Sequence, residues 1–458
     1  MYIEQLYTGC LAEAAYYIES EGEAAIIDPL RETEPYIQKA AARNTKIKYI
    51  FETHFHADFV SGHVDLAKKT GAKIVFGPNA QTSYDAYSAK DGEVFEIGKI
   101  KIKVLHTPGH TLESSTFLLI DEKGKNHCIF TGDTLFIGDV GRPDLAIGNG
   151  LTPEDLAGML YDSLRSKIMP LEDDVIVYPA HGAGSACGKK MSDETFATLG
   201  QQKETNYALQ DISREEFIKE LTTGIMPAPQ YFAKNAMLNK GGYESIDNAM
   251  QKGTKALSAD EVEQLQSQGV LVLDTRHQKE FCAGHIPNAW FIGLGGQFAV
   301  WVGTLIENLN QPIIIIAEEG KEEEAVLRLA RVGYDNCVGY LNGGMKAWTN
   351  AGKKVVTLTS VEATTLSGEE KIVDARKPSE FEESHVKGAV SYPLDFINSH
   401  LNQLNKDETY HIHCRSGYRS VIACSILQAN GYKKLVDVAG GYLAIEKTNL
   451  PLEKAEMA

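Results

Sequence analysis

Two stretches of the chain carry residues able to do chemistry, and they lie far apart. In the first, Thr53-His54-Phe55-His56-Ala57-Asp58-Phe59 sets imidazoles and a carboxylate at alternate positions just past the apolar run 47–51. Neutral imidazole and carboxylate are the usual protein ligands for zinc and iron. Ligands leaving a strand end are one reading, and ordinary polar loop residues are the other. In the second, Cys414-Arg415-Ser416-Gly417-Tyr418-Arg419-Ser420 stands between the run 410–413 and a helical pattern over 421–428. A thiol in a tight loop before a helix meets backbone N–H donors and the positive end of the helix dipole, which favour the thiolate. Arg415 and Arg419 add charge, so the loop could hold a Cys414 persulfide and an anion such as thiosulfate or sulfite.

The elements that must position these residues follow from the pattern. Residues 1–30 alternate as paired strands, 34–43 read as a helix, and 62–70 as a helix stopped by Gly71. Three further short strands each end on candidate ligands. Residues 100–105 lead to His106-Thr107-Pro108-Gly109-His110-Thr111, 127–130 to Thr131-Gly132-Asp133, and 175–177 to Tyr178-Pro179-Ala180-His181-Gly182. Helical patterns cover 193–207 and 214–221, and the Pro-bearing stretch 226–232 reads as a packed connector because its aromatic and apolar residues argue against disorder.

The rest of the chain repeats itself at an offset of roughly 100 positions. Asp274-Thr275-Arg276 matches Asp374-Ala375-Arg376, Glu280-Phe281 matches Glu380-Phe381, His285 matches His385, and Gly343-Gly344 matches Gly440-Gly441. Apolar strands alternating with helical patterns imply an open, mostly parallel α/β sheet in each copy. Where the later copy has its cysteine loop, the earlier one has Ala317-Glu318-Glu319-Gly320-Lys321-Glu322-Glu323. Alanine replaces the nucleophile and glutamates replace both arginines, so this loop would repel anions.

At 458 residues, about three domains are expected. The net charge of −17 excludes nucleic acid and anionic membrane as general partners. No apolar run approaches the roughly 18–20 residues of a membrane span. Met1-Tyr2-Ile3-Glu4-Gln5 lacks the pattern of a secretory leader, and seven scattered cysteines do not form a disulfide framework, so a cytoplasmic setting is expected. Self-association into a homo-oligomer is left open.

The ordered set His-x-His-x-Asp, Thr-Pro-Gly-His-Thr, Thr-Gly-Asp and Ala-His-Gly resembles the metallo-β-lactamase fold. Both repeats resemble rhodanese domains through strand-Asp-x-Arg, Glu-Phe-x-x-x-His and Gly-Gly, and the Cys414 loop matches the rhodanese Cys-Arg-x-Gly-x-Arg pattern. Phosphatases use a similar, usually longer loop. The whole order resembles persulfide dioxygenase–sulfurtransferase fusions. It implies an α/β chain with an αββα sandwich at 1–200, a helical extension and connector at 201–254, a catalytically silent rhodanese-like domain at 255–355 and an active one at 356–458. The silent copy reads as structural, positioning the other domains.

In dinuclear members of the fold the residue after the motif aspartate is a second-metal histidine, and here it is Phe59. The resemblance therefore implies one Fe(II) per chain, held by His54, His110 and Asp133, with His56, Asp58 and His181 as supporting residues or weaker ligands. Arg142, Tyr178 and Cys187 are the substrate-side candidates. Arg142 could bind an anionic carrier thiol or pair internally with Asp144 or Asp139, and Cys187 could relay sulfur or be an ordinary thiol. His63 and His127 read as structural or exposed. The implied reaction converts a small-molecule persulfide, O2 and water to thiol and sulfite, with Cys414 exchanging sulfur among persulfide, sulfite and thiosulfate. The carrier could be glutathione, coenzyme A, bacillithiol or cysteine. The alternatives are a zinc thioester hydrolase of the glyoxalase II kind joined to a sulfur carrier, and a non-enzymatic sulfur-trafficking scaffold.

Overall fold

The computed structural model describes residues 1–145 and 150–454, so the last four positions of the range 356–458 lie outside the described residues. The chain divides into two compact units. One is Met1–Ile246 with Ala330–Gly333, and the other is Asp247–Leu329 with Tyr334–Ala458.

The first unit is built on two six-stranded sheets. One runs Tyr2–Thr8, Glu13–Ser20, Glu23–Ile27, Lys46–Glu52, Lys73–Phe76, Tyr87–Ser88. The other runs Ala197–Thr198, Ile176–Pro179, Asn126–Gly132, Ser115–Ile120, Ile100–His106, Val94–Ile97. Strand Glu13–Ser20 shows why the sheets stack: it is buried on both faces. Tyr16 and Ile18 join Phe51, Phe117, Leu119 and Phe130 in the core between the sheets. Ala15 and Tyr17 face outward, into a core covered by helices Glu34–Ala42 and His63–Thr70. Helices Pro153–Ser163 and Arg214–Thr222 cover the other sheet through Leu160, Phe217 and Leu221. The αββα sandwich follows. Its first sheet delivers His54 after Lys46–Glu52. Its second delivers His110, Asp133 and His181 after Ile100–His106, Asn126–Gly132 and Ile176–Pro179.

The helical pattern over 193–207 shortens in the structure. Ala197–Thr198 instead pairs with Ile176 and Val177 as an edge strand, and Thr198 then caps helix Leu199–Thr205 by accepting the Gln201 N–H. Pairing and cap together fix the helix start later than periodicity suggests. The connector packs: helix Phe232–Gly241 buries Asn235 and Asn239.

The second unit holds two five-stranded parallel sheets with matching order. The first is Ala256–Leu257, Cys337–Leu341, Ile313–Ile316, Leu271–Asp274, Trp290–Phe291. The second is Thr359–Glu362, Leu435–Ala439, Tyr410–His413, Ile372–Asp374, Val390–Ser391. The repeated motifs are staples of this fold. Arg276 and Arg376 clasp Asp274 and Asp374 and also donate to the Gly284 and Ser384 carbonyls. His285 and His385 each stack on the phenylalanine four residues earlier at 3.7 Å. All seven cysteines are free, and among the described residues no helix is long and apolar enough to cross a membrane.

Candidate metal centre and thiol loop

His54, His110 and Asp133 converge, each offering a ligand atom within 4.8 Å of the others, and all three are buried. Asp133 Oδ2 lies 3.3 Å from His110 Nε2 and 3.9 Å from His54 Nε2. Neither Asp133 oxygen accepts a hydrogen bond, though both are fully buried. A buried carboxylate without donors is costly, so this group fits a cation. Burial, reinforced by the neighbouring imidazoles His56, His110 and His181, holds His54 well below the usual histidine range. It is therefore neutral and able to coordinate.

Each imidazole is oriented from behind, as metal-ligating histidines generally are. His54 Nδ1 lies 3.0 Å from Thr53 Oγ1, which donates to Asp28 Oδ2 at 2.8 Å. His110 Nδ1 lies 2.8 Å from the Arg142 carbonyl oxygen. Gly141 permits this approach. A Cβ there would stand 2.1 Å from Asp133 O and 2.9 Å from His110 Nδ1. Gly141→Ala is therefore expected to push the Asp133 backbone and the His110 ring out of place and to reduce metal content in the folded fraction roughly 10–100-fold, measured by elemental analysis after metal loading. The motif loop is pinned from the connector. Asn239 Nδ2 donates to the His56 and Phe59 carbonyls at 2.7 and 2.8 Å, and its Oδ1 accepts the Ser61 N–H at 2.9 Å. Asn239→Ala strands these buried groups, at a cost of roughly 1–3 kcal/mol for each one left unsatisfied, which urea unfolding would measure.

The His56 ring lies 4.2 Å from that of His54. Its Nε2 lies 3.1 Å from Asp28 and 3.6 Å from Glu52. Burial opposes its charge, but the Asp28, Glu52 and Asp58 carboxylates outweigh that and lift it to about 10. Phe59 is fully buried and its ring packs on His56 at 4.4 Å. His181 Nε2 sits 3.4 Å from Asp58 and 3.5 Å from Asp133. His56, Asp58 and His181 thus also form a group with metal-holding spacing, as do Asp133, His181 and Cys187. Burial, then the charges of Asp58 and Asp133, push the Cys187 thiol well up.

The other substrate-side candidates are occupied elsewhere. Arg142 forks onto Asp144 at 2.6 and 2.7 Å and donates to the Ala186 and Met226 carbonyls, so its guanidinium is spent inside the protein. The internal pairing wins because the side chain is only 7% exposed, and a buried guanidinium must satisfy its donors. What Arg142 gives the site is its backbone oxygen. Tyr178 stacks on Phe130 at 5.6 Å and packs against the inter-sheet core. His63 is buried, 3.2 Å from Glu52 and 2.6 Å from the Tyr84 hydroxyl. The supporting roles of Asp28, Thr53 and Asn239 have little mark in the sequence: Thr53 opens the histidine stretch, Asp28 stands in the turn signal Asp28-Pro29 after a strand, and Asn239 has none.

In the second unit Cys414 is buried at the end of Tyr410–His413, and its Sγ accepts the Gly417 N–H at 3.1 Å. Gly417 needs its freedom at φ +95°. The Tyr442 and Leu443 N–H groups bind the Cys414 and Arg415 carbonyls at 2.7 and 3.0 Å, and Gly441 leaves them room, since a Cβ there would lie 2.4 Å from Cys414 O. Arg415 is exposed, whereas Arg419 forks onto Glu380 at 2.6 and 2.9 Å. The charge expected from Arg419 is thus largely balanced, and Arg415 supplies the uncompensated cation. In the silent copy Ala317 holds the equivalent place, and Glu324 pairs with Lys321 and Arg328.

A buried His/Asp group with metal-holding spacing lies at the strand ends of an αββα sandwich, and tandem parallel α/β domains follow it. The Metallo-beta-lactamase superfamily profile matches residues 8–181, and the Rhodanese-like domain profile matches 258–351 and 359–448. The chain belongs to the metallo-β-lactamase superfamily, as an enzyme joined to two rhodanese-like domains. It is 31% identical over 210 residues to the mitochondrial persulfide dioxygenase of Homo sapiens, covering 45% of this chain and 74% of that one. It is 29% identical over 210 residues to a hydroxyacylglutathione hydrolase of Haemophilus influenzae, covering 41% of this chain and 88% of that one. A solved structure described as a metallo-beta-lactamase from Staphylococcus aureus subsp. aureus COL matches with TM-score 0.66 at 32% identity, over 74% of this chain and 98% of that one.

Proposed function

We propose that this chain oxidises a low-molecular-weight thiol persulfide with O2 and water to the thiol and sulfite, and moves sulfane sulfur through Cys414. In balance, R–S–SH + O2 + H2O gives R–SH + H2SO3, the product ionising to sulfite. Residues 1–200 carry the oxidation, 201–254 brace it, 255–355 are the silent copy and 356–458 carry the transfer. The observation behind this reading is the Asp133 carboxylate, buried without donors between His54 and His110, while Phe59 fills the second-metal position and packs on His56.

Two imidazoles and a carboxylate suit a single Fe(II), which when bound supplies open positions for a soft thiolate-type sulfur and O2 together. The protein's own part is to fix geometry. Thr53 and the Arg142 carbonyl aim the two imidazoles, and Asn239 holds the loop between them. His56 lies beside Asp28 and Glu52, a supporting residue in this reading, and the raised Cys187 thiol lies beside Asp133. On the second unit, the Gly417 N–H and the exposed Arg415 stabilise negative charge on Cys414 sulfur and on the arriving thiosulfate or sulfite.

The His56–Asp58–His181 group sustains one competing reading, a zinc thioester hydrolase of the glyoxalase II kind. Elemental analysis with an oxygen electrode separates them. One iron per chain with persulfide-dependent oxygen uptake is expected. Two zinc ions with thioester hydrolysis, and no uptake after iron loading, would sink the dioxygenase reading.

A further inference from the structure

The silent copy has lost its nucleophile, yet one of its segments grips the active loop. Residues 290–296 leave the silent sheet at Trp290–Phe291 and run beneath the loop that carries Cys414. The Tyr418 hydroxyl donates to the Gly293 carbonyl at 2.6 Å, and its ring meets Phe291 edge-on at 5.9 Å. Gly296 lies against the same ring. A Cβ there would fall 2.4 Å from the ring's Cζ, inside any tolerable contact. Alongside, the Phe291 N–H donates at 2.9 Å to Ser425 Oγ, on the helix Arg419–Ala429 that the active loop feeds.

The gripping segment is itself rigidly based. The Ile292 and Leu294 N–H groups bind the Asp274 and Thr275 carbonyls at 3.0 Å each, at the end of the silent copy's own strand Leu271–Asp274. Arg328 Nη1 donates to the Leu294 carbonyl at 2.8 Å. On the active side the loop has fixings from its own copy at Cys414 and Arg415, through Tyr442 and Leu443, and at Arg419, through Glu380. Between these lies Tyr418, adjacent to the Gly417 N–H that points at the nucleophilic sulfur. Its side chain makes its hydrogen bond and its aromatic ring contact with the other copy. Functional loops perform only when held to within about 0.5 Å by packed supporting residues.

We propose that residues 291–296 of the silent copy are a working part of the sulfur-transfer site, with Tyr418 the positioning residue through which they hold the Cys414 loop. The inference rests on the assignment of Cys414 as the transfer nucleophile. It gives the silent copy a reason to persist without chemistry of its own. Arg419, balanced by Glu380 and also within reach of Asp395, is the cation that acts on the sulfur, and Arg415 stands exposed on the same loop. His413 and Asp374 lie behind the strand end.

The test uses the full-length protein and the variants Tyr418→Phe, Tyr418→Ala, Gly296→Ala and the Gly296→Ala/Tyr418→Ala pair. Two quantities are read: kcat and KM for thiosulfate-dependent sulfur transfer, and the pH profile of Cys414 alkylation followed by peptide mass spectrometry. Tyr418→Phe, which keeps the ring and the packing, is expected to lower transfer about fivefold, the worth of one hydrogen bond. Tyr418→Ala is expected to lower it further and move the alkylation profile to higher pH, as the Gly417 N–H loses its aim. Gly296→Ala is expected to have a similar effect alone and none in the Tyr418→Ala background, because it acts through that ring. Wild-type transfer and alkylation in Tyr418→Ala, or an undiminished Gly296→Ala effect in that background, would overturn the proposal. If the wild-type protein transfers no sulfur from thiosulfate, the transferase reading fails by itself, and the alkylation profiles still decide the grip.

Discussion

Asp133→Ala protein is expected to purify with metal reduced at least tenfold to a hundredfold, and to lose persulfide-dependent oxygen uptake in proportion. Asp133 Oδ2 faces both His110 and His54. Removing it leaves two imidazoles with no carboxylate to fix geometry or balance charge. A second readout separates a ligand from a residue needed for folding. The Asp133 oxygens are buried without donors, an arrangement that destabilises the fold unless a cation offsets it. Metal-free Asp133→Ala should therefore be at least as resistant to thermal unfolding as metal-free wild type, while the stabilisation that metal gives the wild type should vanish. A variant that kept its metal and its oxygen uptake would refute the assignment. One that simply failed to fold without metal would make Asp133 a structural residue.

The parts of the centre legible in the sequence were those carried by side-chain chemistry at strand ends. His54, His110 and Asp133 each follow an apolar run, which marked them as candidates together with His56, Asp58 and His181, and it was the family resemblance that singled out these three. The parts that stayed hidden work through backbone atoms or through distance along the chain. Arg142 was read for its charge, yet its carbonyl orients His110 while its guanidinium is consumed by Asp144. No side-chain pattern encodes that. Asn239 reaches back across 180 residues or more to hold His56 and Phe59, and a lone asparagine in a helical pattern carries no mark of such a contact. Arg419 was readable as a cation near the thiol, but its partner Glu380 belonged to a motif shared by both copies and so looked like scaffold. Only the copy with a cysteine has an arginine for that glutamate to hold. The length of the helix near residue 200 was likewise decided by tertiary pairing, which overrode periodicity.

Cys414→Ser should remove thiosulfate-dependent transfer to below detection and leave persulfide-dependent oxygen uptake within about twofold of wild type, the additivity expected for independent sites. A hydroxyl occupying the same cradle could still accept the Gly417 N–H, so the loop should hold its form. Oxygen cannot carry a sulfane sulfur and release it as readily as a thiolate does, because thiolate is the nucleophile and the leaving group of that exchange. The metal group and Cys414 belong to separate compact units, and each has its own supporting contacts: Thr53, Gly141 and Asn239 for one, Gly417, Tyr442 and Tyr418 for the other. Independence is thus the expected behaviour when free persulfide is supplied. Coupling should appear only when thiosulfate is the sole sulfur source and a thiol is present. Then Cys414 must first take the outer sulfur, releasing sulfite, and pass it to the thiol to make the persulfide that the metal site consumes. Under that condition oxygen uptake in Cys414→Ser should fall to background, and adding preformed persulfide should restore it. Loss of uptake with preformed persulfide would instead mean that the metal site accepts sulfur only from Cys414, making the two sites one obligate relay.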